Sequence, residues 1–136
     1  MPKMVLKAAY VSLNGTDLSS YTSKIELKTE VEEQDVTTFA SAGWTELIGG
    51  LASGELSLGF KQDVAASALD ATMWPLFGTV VPFEVRLTNS AVGTSNPKYT
   101  GNVLIKEWTP IAGSVGDVAE MDVSYPTSGA VGRATA

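Results

Sequence analysis

Alternation with a period of two limits this chain more than any other feature. In Glu55-Leu56-Ser57-Leu58-Gly59-Phe60-Lys61 the apolar Leu56, Leu58 and Phe60 share one face without a fault. The run from Pro82 to Thr88 repeats the pattern with Phe83, Val85 and Leu87. Near the end, Ala119, Met121, Val123 and Tyr125 oppose Glu120, Asp122 and Ser124, and between Lys24 and Val31 every even position is charged. Successive side chains of a strand point to opposite faces, so each run places one face in a core and the other in water. Antiparallel sheets solvated on one side have this signature, and the chain is expected to be mainly β.

Other segments are less regular. Ala9–Leu13 runs into Asn14-Gly15, a strong hairpin-turn dipeptide. Tyr99–Trp108 has apolar groups on both faces, Val103 and Ile105 against Leu104 and Trp108. That reads as a long strand of about ten residues, either central or touching another subunit. One helix is expected. Asp63 can cap it, and Ala65, Ala68, Leu69, Thr72, Met73 and Leu76 form a single apolar stripe. Pro75 stops it near Trp74, because the residue before proline avoids the α region. The result is an amphipathic helix of about three turns flanking a sheet.

Glu32 to Ser53 has no lasting period and is too long for a hairpin turn. Its Val36, Phe39, Trp44, Leu47, Ile48 and Leu51 argue against simple disorder. The Gly/Ala/Thr-rich tail from Pro126 to Ala136 reads as poorly ordered on its own. With 136 residues and no internal repeat, a single domain spanning 1–136 is expected.

The chain has no Cys and no His. Zinc sites and His-activated nucleophiles therefore lack their usual residues. A carboxylate pair such as Glu120 and Asp122 remains formally open, but a two-residue spacing is what any solvated strand face shows. Gly49–Gly54 resembles a phosphate loop only superficially, since it lacks the Lys and opens a strand. Asn14-Gly15-Thr16 matches a glycosylation sequon but is better read as a turn. Glu32, Glu33 and Asp35 lack EF-hand spacing. No cofactor, metal or catalytic residue is assigned, and the chain is not expected to be an enzyme. The opening Met1–Lys7 does not resemble a signal peptide, and no stretch approaches the ~20 apolar residues of a membrane helix. A soluble, cytoplasmically made chain is the expectation.

Charge is more informative by location than in total. The net charge is −6, from 9 Lys+Arg and 15 Asp+Glu. No basic residue lies between Lys28 and Lys61, where Glu30, Glu32, Glu33, Asp35, Glu46 and Glu55 all fall. A solvated acidic loop explains this, and so does a segment kept acidic to repel nucleic acid or to meet a basic partner. The scattered cations form no stripe able to displace DNA counterions.

In pattern and order the chain resembles the tail tube (major tail) proteins of long-tailed bacteriophages. The resemblance runs from about residue 8 to 133. It is carried by Val11-Ser12-Leu13-Asn14-Gly15-Thr16-Asp17-Leu18-Ser19-Ser20-Tyr21, by Asp35-Val36-Thr37-Thr38-Phe39, and by Leu56–Asp63 leading into the helix. Asn96-Pro97-Lys98-Tyr99-Thr100-Gly101 and Gly116-Asp117-Val118 complete it.

The resemblance implies an antiparallel β-sandwich with one flanking α-helix. Its inner sheets would join across six subunits into a closed barrel, and the rings would stack into a tube for DNA ejection. With four strands per subunit, 24 strands at about 4.8 Å spacing and ~40° tilt enclose a backbone diameter of about 48 Å. It further implies a long loop reaching to neighbouring subunits, here Glu32, Glu33, Asp35, Val36, Thr37, Thr38, Phe39, Trp44 and Leu47, with Phe39 and Trp44 as anchors. Glu55, Glu84, Glu120 and Asp122 are the candidates for the lumen wall. The implied partners are further copies of itself and tape measure, tail tip and tail terminator proteins, with DNA passing unbound. The implied location is the virion tail, assembled in the host cytoplasm. Two alternatives stay open, an acidic binding or adhesin module and the tube of a contractile injection system.

Overall fold

The computed structural model describes residues 3–136. Met1 and Pro2, part of the opening segment read against a signal peptide, lie outside the described residues. The described residues form strands β1 (Tyr10–Leu13), β2 (Thr16–Asp17), β3 (Thr22–Asp35), β4 (Leu47–Lys61), β5 (Val80–Arg86), β6 (Lys98–Leu104), β7 (Glu120–Pro126) and β8 (Gly132–Ala134), with one α-helix, α1 (Leu69–Met73).

All pairings are antiparallel. One sheet has the order β2-β1-β5-β6-β8 and the other β3-β4-β7. The β1–β2 hairpin turns at Asn14 and Gly15, with φ of 52° and 79°, the positive values a two-residue hairpin requires. The apolar alternates of both sheets meet in one core. Val11, Leu13, Val81, Phe83, Val85 and Val103 come from the five-stranded sheet, and Leu56, Leu58, Phe60, Met121, Val123 and Tyr125 from the three-stranded one. Between β7 and β8 the chain crosses sheets, through a bridge of Val103 with Thr127 and a hydrogen bond from Ser128 N–H to Asn102 O.

Several expectations change. The helix is about one and a half turns rather than three, because Ser67 takes a φ of 62° that interrupts the helical path. Asp63 still organises the approach, its Oδ1 accepting the Ala65 N–H at 3.0 Å. Leu69 and Met73 enter the core beside Trp108, whose indole N–H donates to Asp70 at 2.9 Å. The strand expected over Tyr99–Trp108 ends at Leu104, and Ile105 and Trp108 are buried beyond it. The C-terminal tail is held at Gly132–Ala134, which adds β8 to β6. No closed barrel exists among the described residues: both sheets are open, and neither has the four strands used in the diameter estimate.

Candidate assembly interface

The largest departure from expectation concerns Glu32 to Ser53. It is the outer half of a long β3–β4 hairpin, not an irregular loop. Glu32, Glu33 and Asp35 belong to β3 and Leu47 opens β4, with Gln34 facing Ile48 and Asp35 facing Leu47 across the ladder. Two steps on β3, Val31 to Glu33, oppose three on β4, Ala52 to Gly49, so β4 carries a bulge. At about 3.3 Å per residue, the stretch from Thr29 to Asp35 carries the arm roughly 20 Å outward.

Backbone and short polar side chains build the tip. Val36 N–H donates to Glu46 O at 2.9 Å, and Glu46 N–H donates to Thr37 Oγ1 at 2.8 Å. Asp35 accepts from Thr37, whose N–H lies 2.8 Å from its Oδ1; bonds from the Thr37 side chain and then its backbone hold the Asp35 carboxyl below its ordinary range. A single 3-10 turn, Phe39–Ser41, is closed by Thr38 N–H donating to Ser41 Oγ at 3.1 Å and by Ala42 at a φ of 55°. With its polar groups paired locally, the tip turns its large side chains outward. Phe39 is fully exposed and Trp44 is 77% exposed, and Val31, Leu47, Ile48 and Leu51 along the arm are more than half exposed. Val36 is the least exposed of the tip's large apolar residues.

The four lumen candidates do not share a surface. Glu55, Glu120 and Asp122 lie on the polar face of the three-stranded sheet, whereas Glu84 sits on β5 in the other sheet, paired with Arg86 at 2.8 Å. Alternation shows which residues face water, not which sheet they belong to. Nor is the polar face simply acidic. Lys24 reaches Asp122 at 3.7 Å across Gly59, where a Cβ would meet both side chains at 3.0–3.1 Å. Lys61 pairs with Glu120 and, with that bond as the main cause, holds its carboxyl below the ordinary range. Glu55 is lowered in the same sense, chiefly by Ser124, whose hydroxyl donates to it at 2.5 Å.

The edges of the two sheets differ. β2 and β8, which bound the five-stranded sheet, are two and three residues long, while β3 and β7 bound the other with fourteen and seven. Long unpaired edges are templates for strand addition. Gln62 N–H bonds Ala119 O and Thr127 N–H bonds Gly54 O, so the odd-numbered residues of β7 bond to β4. Backbone groups of Glu120, Asp122 and Ser124 therefore point to the free side. One is occupied: Ser124 N–H donates to Glu107 Oε1 at 3.0 Å.

One exposed aromatic pair was not singled out from the sequence. Trp74 and Phe77 stack with centroids 6.0 Å apart, and both are at least half exposed. The Pro75 between them marked a helix stop, and that stop also turns both rings to solvent. Among the described residues no group of three acidic, His or Cys side chains is placed to hold a metal.

No family model and no curated protein matches the chain. Its fold does match solved structures. A chain in the virion of a native gene transfer agent particle superposes with a TM-score of 0.77 at 22% identity, covering 96% of this chain and 98% of that one. A chain in the tail of an empty gene transfer agent particle, refined with C6 symmetry, gives 0.69 at 21% identity and 92% coverage of both. The fold is thus one found in virion and tail structures, in line with the tail tube resemblance.

Proposed function

We propose that this chain is a structural tail protein that polymerises as stacked six-fold rings into a tube through which DNA leaves the particle. One observation carries the reading: the β3–β4 arm exposes Val31, Phe39, Trp44, Leu47, Ile48 and Leu51 far from the core. Large apolar side chains left in solvent along an arm mark it as a candidate interaction site, and an arm that projects from its own body needs a second body to cover it. Another copy is the economical partner, and a repeated arm-to-body contact builds an open stack. The gene transfer agent tail that shares the fold has C6 symmetry, which supports the six-fold arrangement.

In this reading the three-stranded sheet lines the channel. Eighteen strands at about 4.8 Å and ~40° tilt enclose a backbone diameter of about 36 Å, or about 26 Å after side chains, against roughly 20 Å for a duplex. Among the described residues the wall pairs Lys24, Lys28 and Lys61 with Asp122, Glu30 and Glu120 and leaves Glu26 and Glu55 without an ion-pair partner, so it stays acidic and offers DNA no run of free cations. Tape measure, tail tip and tail terminator proteins are the further partners, and the role is not enzymatic. Electron microscopy of the purified protein tests the reading. Rings or tubes are expected from the full chain and should be lost with Phe39→Ser and Trp44→Ser together. A wild-type protein that stays monomeric at high concentration, alone and with tail initiation factors, would refute it.

A further inference from the structure

We infer that the stacked Trp74–Phe77 pair of one copy seats in an apolar groove on the opposite flank of the next copy in the ring. The inference rests on the proposed tube and goes beyond it by assigning a contact that the β3–β4 arm does not make.

The groove marks where the core is unfinished. It has a volume of about 360 Å³ and opens between β3 and the other sheet, with Ile25 and Leu27 on one side and Val85, Leu87, Tyr99 and Val131 on the other. Of the half-buried apolar residues packed against the core, Ile25, Leu27, Tyr99 and Val131 all line it, and Leu87 is nearly half exposed. Apolar side chains left partly in water around one depression gain from a partner that fills it.

The aromatic pair stands on the other flank. Val103 bridges to Thr127, and Glu107 accepts Ser124 N–H on the free side of β7, so the chain leaving β6 runs along that side. Gly78 N–H donates to Ile105 O at 2.8 Å and Ile105 N–H to Thr79 O at 2.9 Å, which places Phe77 beyond this stretch. β3 and β7 are the outer strands of their sheet, so groove and pair lie on opposite flanks. The pair is also held rigid. Phe77 N–H donates to Trp74 O at 3.2 Å, Thr79 N–H donates to Leu76 O at 2.9 Å, and the rings lie 16° from parallel. Aromatic anchors fixed before docking lose little freedom and dominate interface energies.

Opposite flanks are what a ring contact needs. Rotation repeats one heterologous contact until it closes, so each copy offers one pair, receives one, and leaves neither in water. Charge agrees with this. The stretch from Lys3 to Lys28, which leads into the groove, has four Lys against Asp17 and Glu26. The stretch from Gln62 to Pro82, which carries the pair, has Asp63 and Asp70 and no cation. Flanks of opposite sign attract and set the orientation of docking.

Photocrosslinking within assembled rings tests the contact. Phe77→benzoylphenylalanine is assembled from a mixture of isotopically light and heavy copies, checked for rings by microscopy, irradiated and digested. Light-to-heavy crosslinks to peptides holding Leu87, Tyr99 or Val131 are expected, from rings and not from free subunits. The reverse probe, Leu87→benzoylphenylalanine, should capture residues 74–77, and either probe gives the answer if the other blocks assembly. Trp74→Ala with Phe77→Ala should raise the protein concentration at which rings form by about 30-fold or more, the scale of losing an aromatic anchor. The thermal midpoint of the free subunit should change little, since both rings stand in solvent. Rings in which a probe captures nothing, or only other surfaces such as arm residues 30–52, would overturn the contact and leave the tube reading standing. So would rings from the double alanine variant at the wild-type concentration. Absence of rings in the wild type would instead sink the tube reading, and this contact with it.

Discussion

Tyr125→Phe should stabilise the subunit. Tyr125 is fully buried between the sheets, and its hydroxyl has no hydrogen-bond partner. Burial, with the Glu107 carboxylate as a second cause, pushes its pKa up from the ordinary tyrosine value. A buried, unsatisfied polar group costs about 1–3 kcal/mol, and the variant removes it with almost no change in shape. For a chain of this size that corresponds to roughly 4 °C in Tm per kcal/mol.

The pH dependence gives a second, independent reading. The native state keeps the Tyr125 proton while the unfolded chain loses it above pH ~10. The unfolded state then binds fewer protons, so wild-type stability falls by about 1.4 kcal/mol per pH unit on account of this residue. The phenylalanine ring of the variant has no proton to lose, and all other tyrosines are common to both proteins. The gap between variant and wild type should therefore be constant below pH ~9 and widen above pH ~10. Urea titrations of both proteins from pH 7 to 11 measure it. A less stable variant, or a gap that does not widen, would show that the hydroxyl is satisfied and the reasoning wrong.

Asp70→Ala should cost about 1–3 kcal/mol, because it strands the indole N–H of the buried Trp108 that Asp70 accepts; urea midpoints and Trp fluorescence check it, and an unchanged midpoint would mean the indole finds another acceptor. Glu120→Lys with Asp122→Lys removes the partners of Lys61 and Lys24 and sets four cations side by side. Tubes should still form if these side chains line the channel. DNA release should slow and grow strongly salt-dependent, by about 0.9 in log K against log salt for each phosphate neutralised. Loss of assembly would place the two residues in a subunit contact, and unchanged release on the outer surface.

The reading from sequence succeeded where one face of a strand is buried. Leu56, Leu58 and Phe60, Phe83 and Val85, and Met121, Val123 and Tyr125 all stand in the core, because alternation is a direct record of that environment. It failed along the arm for the complementary reason. From Thr29 to Ser53 nearly every residue on both faces is exposed, so nothing imposes a period of two, and the bulge between Gly49 and Ala52 breaks whatever register remains. The apolar content of that segment was still legible, and it singled out Phe39 and Trp44, both of which the fold turns outward.

The sequence by itself determined a β-rich, His- and Cys-free chain with one amphipathic element, a tight Asn14-Gly15 hairpin and an acidic segment rich in unpaired apolar side chains. Each of these is a local property, written in spacing and composition. Only the tertiary structure decided which strands share a sheet, and with that the separation of Glu84 from Glu55, Glu120 and Asp122. It also decided that each acid at 120 and 122 meets a lysine. Strand pairing joins residues more than sixty positions apart, and no pattern within a single strand carries the identity of its neighbour.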